Sequence, residues 1–216
     1  MQPRLKICGI TRLDDARYCA AGGADYLGFV MHPGSPRRVE PDVVRGMSEW
    51  LHGVQKVGVF VDANPDVVNV VSADCGFDLV QLHGSEPPDY GNAIDVPVIK
   101  AFRISDSDDA DSIRRMIDGY EDAANYFLFD TRSPGAHGGT GQVFNWNTLS
   151  GIQMPKPFFL AGGLGAGNVG DAVAQTSPYA IDVSSSVERS PGVKDFDLLS
   201  EFFSAFEHAA ARGGAE

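Results

Sequence analysis

No stretch of this 216-residue sequence approaches the roughly 18 consecutive apolar residues that a membrane-crossing helix needs. Its opening segment, MQPRLKICGITRLDD, holds no apolar run of signal-peptide length, so a cytoplasmic protein is expected. Basic charge is scarce: 17 Lys and Arg stand against 29 Asp and Glu, for a formal net charge of −12. With no basic run to neutralise phosphates, a nucleic-acid partner is not expected. Cysteines number three, Cys8, Cys19 and Cys75, an odd set without a CxxC pair. That fits free thiols in a reducing compartment. The five histidines share no metal-ligand spacing. The acidic balance adds a constraint. An anionic small molecule would be repelled by the general field, so its site must create local positive potential.

What is present is an alternation. Eight short apolar runs are separated by helix-period segments: RLKIC (4–8), DYLGFV (25–30), KVGVFV (56–61), DLVQL (78–82), PVIKAF (97–102), YFLFD (126–130), PFFLA (157–161) and YAIDV (179–183). Most lack polar alternation, as expected of strands covered on both faces. Thr11 and Asp14 resemble a capping box ahead of LDDARYCAA. Asn64 reads as an N-cap with Pro65 as first helical residue, and EPDVVRGM (40–47) repeats the arrangement. Asp195 can cap a last helix whose Leu199, Phe202, Phe203 and Phe206 share one face. TRSPGAHGGTGQ (131–142) is too rich in glycine for a helix and leaves room only for a short one near 144–150. Eight strand–helix units predict an α/β fold, a compact (β/α)8 TIM barrel of eight parallel strands. An open doubly wound sheet is the competing arrangement. No linker divides the chain, so one barrel domain is expected over 1–209, with a frayed tail at 210–216.

In a barrel the working residues lie at the carboxyl ends of strands and in the loops that follow. The first run ends at Cys8, the fourth leads to His83 and the sixth ends at Asp130. Arg37 and Arg38 follow the second run; Gly162 and Gly163 follow the seventh; Ser184, Ser185 and Ser186 follow Asp182 in the eighth. LAGGLGAGNV and DVSSSVERSPG therefore put small residues where this fold commonly holds a phosphate on backbone N–H groups. Backbone dipoles also meet the charge constraint without a lysine. The bland alternative is that both are merely turns. A carboxylate closing the run YFLF is costly to place. Asp130 is either a general acid with its pKa raised by burial, or an N-cap or partner of Arg132. Cys8 is either a thiolate base, which at a thiol pKa of about 8.5 needs nearby positive potential, or a small buried hydrophobe. His83 has a structural and a functional reading, and Arg37 and Arg38 read as a solvated pair or as a carboxylate grip.

The segments KICGIT, DYLGFV with SPRRV, VGVFVD, VQLHG, LFDT with GGTGQVFNW, LAGGL, and DVSSSVE followed by PGVKD occur in a telling order. Over Lys6 to Asp195 the chain resembles the phosphoribosylanthranilate isomerase family of tryptophan biosynthesis. The resemblance implies an Amadori rearrangement of N-(5-phosphoribosyl)anthranilate to 1-(2-carboxyphenylamino)-1-deoxyribulose 5-phosphate. The aspartate matching Asp130 would protonate the furanose ring oxygen, and the ring would open to a Schiff base. The cysteine matching Cys8 would then remove the C2′ proton, and the enolamine would relax to the ketone. Only protons move, so no cofactor and no metal is implied. Arg37 would hold the anthranilate carboxylate. Gly162, Gly163, Ser184 and Ser185 would hold the phosphate, with His83 and Asp182 lining the site. GAHGGTGQ would be a mobile loop closing over substrate. The implied partner is a phosphorylated small molecule, with no nucleic acid and no membrane; the sequence does not fix an oligomeric state.

Two departures stand out. Ser186 replaces the family's usual glycine after the paired serines and would be strained if that turn needs a positive φ. Met31-His32 replaces a more usual aromatic-containing stretch. Two rival readings also remain. The histidine-pathway isomerase uses two aspartates and a doubled half-barrel, whereas this chain has Cys8 on the first run and unlike halves. A non-catalytic barrel that binds a phosphorylated metabolite would not need both proton-transfer candidates.

Overall fold

All eight apolar runs become strands in the computed structural model, which describes residues 2–131 and 144–213. They are β1 (Arg4–Cys8), β2 (Tyr26–Val30), β3 (Gln55–Phe60), β4 (Leu79–Leu82), β5 (Val98–Ile104), β6 (Tyr126–Thr131), β7 (Phe158–Leu160) and β8 (Ala180–Val183). Each pairs in parallel with the next, and β8 returns to β1, so the sheet is a closed barrel and not an open doubly wound one. The dense apolar character of the runs has a direct cause. One face of each strand, with Leu5, Ile7, Leu27, Phe29, Phe127 and Phe129, packs into the shell under the helices. The other, with Tyr26, Val57, Leu79, Ile99, Leu128 and Phe159, fills the barrel. Tyr26 and Tyr179 join hydroxyls at 2.9 Å toward the amino-terminal end of the strands. That end is packed for stability, which leaves the carboxyl end for chemistry.

The helices are α1 (Leu13–Ala21), α2 (Pro41–Ser48), α3 (Pro65–Cys75), α4 (Ala110–Ile117), α5 (Asn147–Ser150), α6 (Val169–Thr176) and α7 (Phe196–Gly213). Between β4 and β5 there is only a 3-10 turn, Pro88–Ala93. Its Gly91 lies so close to the Ala123 carbonyl that a Cβ would sit 2.0 Å from the oxygen. Asn64 caps α3 as expected, its Oδ1 accepting the Asp66 N–H at 2.8 Å. Asp195 Oδ1 accepts from Asp197 and Leu198, and Leu199, Phe202, Phe203 and Phe206 of α7 are buried. The capping box at α1 does not form. Arg12 precedes that helix without a side-chain cap, and the Thr11 hydroxyl donates to the Gly192 carbonyl instead.

Three further features go beyond the sequence pattern. A hairpin of β9 (Glu188–Ser190) and β10 (Val193–Lys194) follows β8. Helix α7 runs to Gly213 with Ala209 and Ala210 buried, past the point where fraying was expected; 214–216 lie outside the described residues. So does 132–142 of the glycine-rich segment, while the short helix expected after it is α5. Among the described residues no helix is long and apolar enough to cross a membrane. Replacing the α3 cap, Asn64→Ala, is expected to cost about 1 kcal/mol. The check is the urea midpoint at unchanged m-value.

Candidate active site

Side chains alternate along a strand, so residues two apart share a face. On β1 this puts Lys6 below Cys8, and on β8 it puts Asp182 below Ser184. Lys6 is fully buried, and its Nζ lies 2.7 Å from Asp182 Oδ2 on the neighbouring strand. Its ammonium also favours the charged form of the Cys8 thiol. Burial works against the Lys6 charge, but Asp182 and then Cys8 outweigh it and hold the ammonium above its ordinary range. Burial pushes the Asp182 carboxyl up, with Lys6 opposing. Cys8 keeps a part-exposed surface at the mouth. Protein encloses its sulfur closely enough that lost hydration pushes the thiol up, while Lys6 and Lys194 pull it back. Positive potential at the thiol thus comes first from Lys6 and then from Lys194. Room for the sulfur comes from Gly28, its register partner on β2, where a Cβ would lie 2.6 Å from Sγ.

Beside this group lies a second charged cluster. Glu188 accepts from Arg37 Nε at 3.1 and 3.0 Å, from Arg37 Nη2 at 2.7 Å, and from Lys194 Nζ at 3.1 Å. Lys194 also donates to the carbonyls of Cys8 at 2.6 Å and Ser184 at 3.2 Å. Two cations on one carboxylate leave net positive charge next to the thiol. Arg37 is therefore engaged within the protein, and Arg38 pairs with exposed Glu40.

Asp130 is not buried as expected. Its side chain is 27% exposed, and its neighbour is His83, whose Nε2 lies 3.3 Å from Asp130 Oδ2. Gln81, buried two residues earlier on β4, places its Nε2 2.7 Å from His83 Nδ1. With the amide donating to Nδ1, the ring proton sits on Nε2 and faces the carboxyl group. Buried Glu86 fixes the backbone after His83. It accepts from Gly84 and Asp62 N–H groups and from Lys100 Nζ at 2.6 Å.

The loop after β7 passes Asp130 and meets the loop after β8 where Gly165 faces Ser186. Gly162 (φ 85°) and Gly163 (φ 66°) both adopt left-handed backbone, and a Cβ at Gly162 would lie 2.7 Å from Asp130 Oδ1. Asn168 braces this loop, accepting the Gly165 N–H at 2.9 Å and donating to the Gly163 carbonyl at 3.0 Å. After β8, Ser185–Val187 form a 3-10 turn, and Ser184 Oγ donates to the Cys8 carbonyl at 3.1 Å. Ser186 is not at positive φ, so the expected strain does not arise; its Cβ lies 3.5 Å from the Cβ position of Gly165. The backbone N–H groups of Gly163, Leu164, Ser185 and Ser186 donate to no backbone acceptor among the described residues. The exchanged Met31 simply packs against the core.

A closed barrel with titratable groups gathered at its strand ends is the architecture of the (β/α)8-barrel enzymes. Within that class the chain belongs to the N-(5'-phosphoribosyl)anthranilate (PRA) isomerase family, whose model matches residues 5–205. It is 47% identical over 200 residues to N-(5'-phosphoribosyl)anthranilate isomerase of Geobacter sulfurreducens, covering 92% of this chain and 96% of that one. With the Pseudomonas putida enzyme of the same name it shares 42% over 207 residues, 95% and 98% of the two chains. The phosphoribosyl anthranilate isomerase structure from Thermotoga maritima superposes with a TM-score of 0.87 at 35% identity, covering 95% and 99%. A further isomerase structure, holding reduced 1-(o-carboxyphenylamino)-1-deoxyribulose 5-phosphate, gives 0.84 at 34% identity over 95% and 99%. The chain is accordingly an isomerase of tryptophan biosynthesis. Gly28→Ala is expected to displace the Cys8 sulfur and lower kcat by roughly 10²-fold. Gly46→Ala, where a Cβ meets nothing within 4 Å, should leave kcat unchanged in the same steady-state assay.

Proposed function

We propose that the chain performs the Amadori rearrangement of N-(5'-phosphoribosyl)anthranilate by general acid–base catalysis, with Asp130 as acid and Cys8 as base. The observation that supports this most is the pairing of each group with its own helper at one barrel mouth. Lys6 lies beside the thiol, and His83 beside the carboxyl group. Asp130 protonates the ring oxygen; the C1′–O bond breaks as the anthranilate nitrogen forms the Schiff base. Cys8 thiolate takes the C2′ proton, and the electron pair moves into the C1′–C2′ bond to give the enolamine. Protonation at C1′ and loss of the C2′ hydroxyl proton give the ketone. The net change is an isomerisation, and both groups return to their starting states by proton exchange. The glycine and serine loops after β7 and β8 receive the phosphate on N–H groups that lack a backbone acceptor. A phosphorylated small molecule is therefore the partner, a reading supported by the related isomerase that holds a 5-phosphate ligand. Three free cysteines accord with a cytoplasmic location.

Cys8→Ala and Asp130→Asn are each expected to lower kcat by about 10²–10⁴-fold with KM little changed. The readout is loss of substrate fluorescence with no cofactor added, and near wild-type turnover in either variant would refute that residue's role. The pH dependence has a definite sign. The base acts as thiolate and burial pushes its thiol up, so kcat/KM rises with pH through the Cys8 titration. Lys6→Met removes a group that favours the thiolate, and this rising limb should move to higher pH. A limb that stays in place would show that another group sets it.

A further inference from the structure

We propose that Gln81 is a positioning residue for the acid: by donating to His83 Nδ1 it keeps a neutral imidazole whose one proton, on Nε2, is aimed at Asp130. The inference deepens the reaction assigned above and rests on the acid role of Asp130. On β4, Leu79 belongs to the barrel interior, whereas Val80 and Leu82 lie in the outer shell. Alternation therefore puts Gln81 and His83 on the interior side with Leu79. The register partners of Gln81 are Val59 on β3 and Ile99 on β5, both buried. An apolar side chain would suit such a position. The amide there is buried instead, and its Oε1 has no hydrogen-bond partner among the described residues. A carbonyl left in that state is unfavourable. What the amide gains lies at its other end, where Nε2 is 2.7 Å from His83 Nδ1.

The backbone at His83 is already fixed, its N–H donating to the Phe60 carbonyl at 2.8 Å. What remains free is the imidazole: its rotation, and which nitrogen bears the proton. An amide N–H pointed at Nδ1 needs a lone pair there, and so settles both. The proton is then on Nε2, 3.3 Å from Asp130 Oδ2. A contact made within β4 is thereby carried to a carboxyl group on β6. As Asp130 gives its proton to the furanose oxygen, negative charge develops on the carboxyl group, and a donor already in place receives it. A neutral donor serves this step better than a cation. An imidazolium at the same distance would favour the carboxylate before substrate arrives and withhold the proton. By occupying Nδ1, Gln81 leaves no place for the second proton that would make one.

The test reads the His83 imidazole by nitrogen NMR in mildly alkaline buffer, its signals assigned by their loss in His83→Ala. Wild type is compared with the shape-conserving variants Gln81→Met and Gln81→Glu, and steady-state kinetics are run on each. The wild-type ring should carry its proton on Nε2, with Nδ1 unprotonated. In Gln81→Glu, whose carboxylate can only accept, Nδ1 should gain a proton. Each variant should lower kcat by roughly 10-fold, the size of one hydrogen bond, with KM near the wild-type value. With His83→Ala already in place, Gln81→Met should lower kcat no further. A wild-type ring protonated on Nδ1 overturns the proposal, as does wild-type kcat in both variants. So does an additive loss in the double variant, or a lowered kcat in Gln81→Glu with Nδ1 still unprotonated, either of which would mark a merely structural role. Wild-type turnover by Asp130→Asn would instead remove the acid assignment and this proposal with it; the ring spectra and the double variant judge Gln81 alone.

Discussion

Inside the barrel, where β8 closes against β1, Lys6 and Asp182 form an ion pair at 2.7 Å with almost no access to water. Placing two charges there is unfavourable unless each satisfies the other, and breaking such a pair typically costs about 3–5 kcal/mol. The pair bonds the two strands across the seam. It also holds a cation one layer beneath Cys8, which counters the burial that disfavours a thiolate. One interaction thus ties the barrel seam and places a cation beneath the thiol. Asp182 Oδ1 has no hydrogen-bond partner among the described residues, so one acceptor of the pair stays unused beneath the barrel mouth.

Around that centre the mouth is assembled from further buried carboxylates, each accepting from a lysine. Glu188 gathers Arg37 and Lys194, and Lys194 reaches the carbonyls of Cys8 and Ser184. The hairpin after β8 is thereby bound to the end of β1. On the opposite side Glu86 gathers Lys100 and the N–H groups of Gly84 and Asp62, which fixes the backbone after His83. These bonds restrain loops that would otherwise lose most of their entropy only on binding. They also leave net positive charge beside the thiol of a strongly acidic chain, where two cations share Glu188.

Much of this was legible in particular residues. The apolar runs are strands because a strand buried on both faces must be apolar throughout, and Asn64-Pro65 and Asp195 start helices by contacts within three residues. Cys8, His83, Asp130 and the loops after β7 and β8 were all visible as strand ends. Lys6 and Gln81 could have been found as well, since each stands two residues before a strand-end candidate and so shares its face. The capping box at Thr11 was misread because a residue 181 positions away competes for the hydroxyl. Ser186 was read as strained because the turn's backbone was unknown; within a 3-10 turn serine is unremarkable.

Local pattern was enough for the strand–helix order, the barrel and the set of residues at its mouth, because period and capping act over a few positions. Which carboxylate answers which cation was decided only by closure of the sheet. Lys6 with Asp182, Arg37 with Glu188 and His83 with Asp130 are separated by tens to more than a hundred residues. Partners so far apart are chosen by strand register and loop geometry, and neither is written in any single stretch of chain.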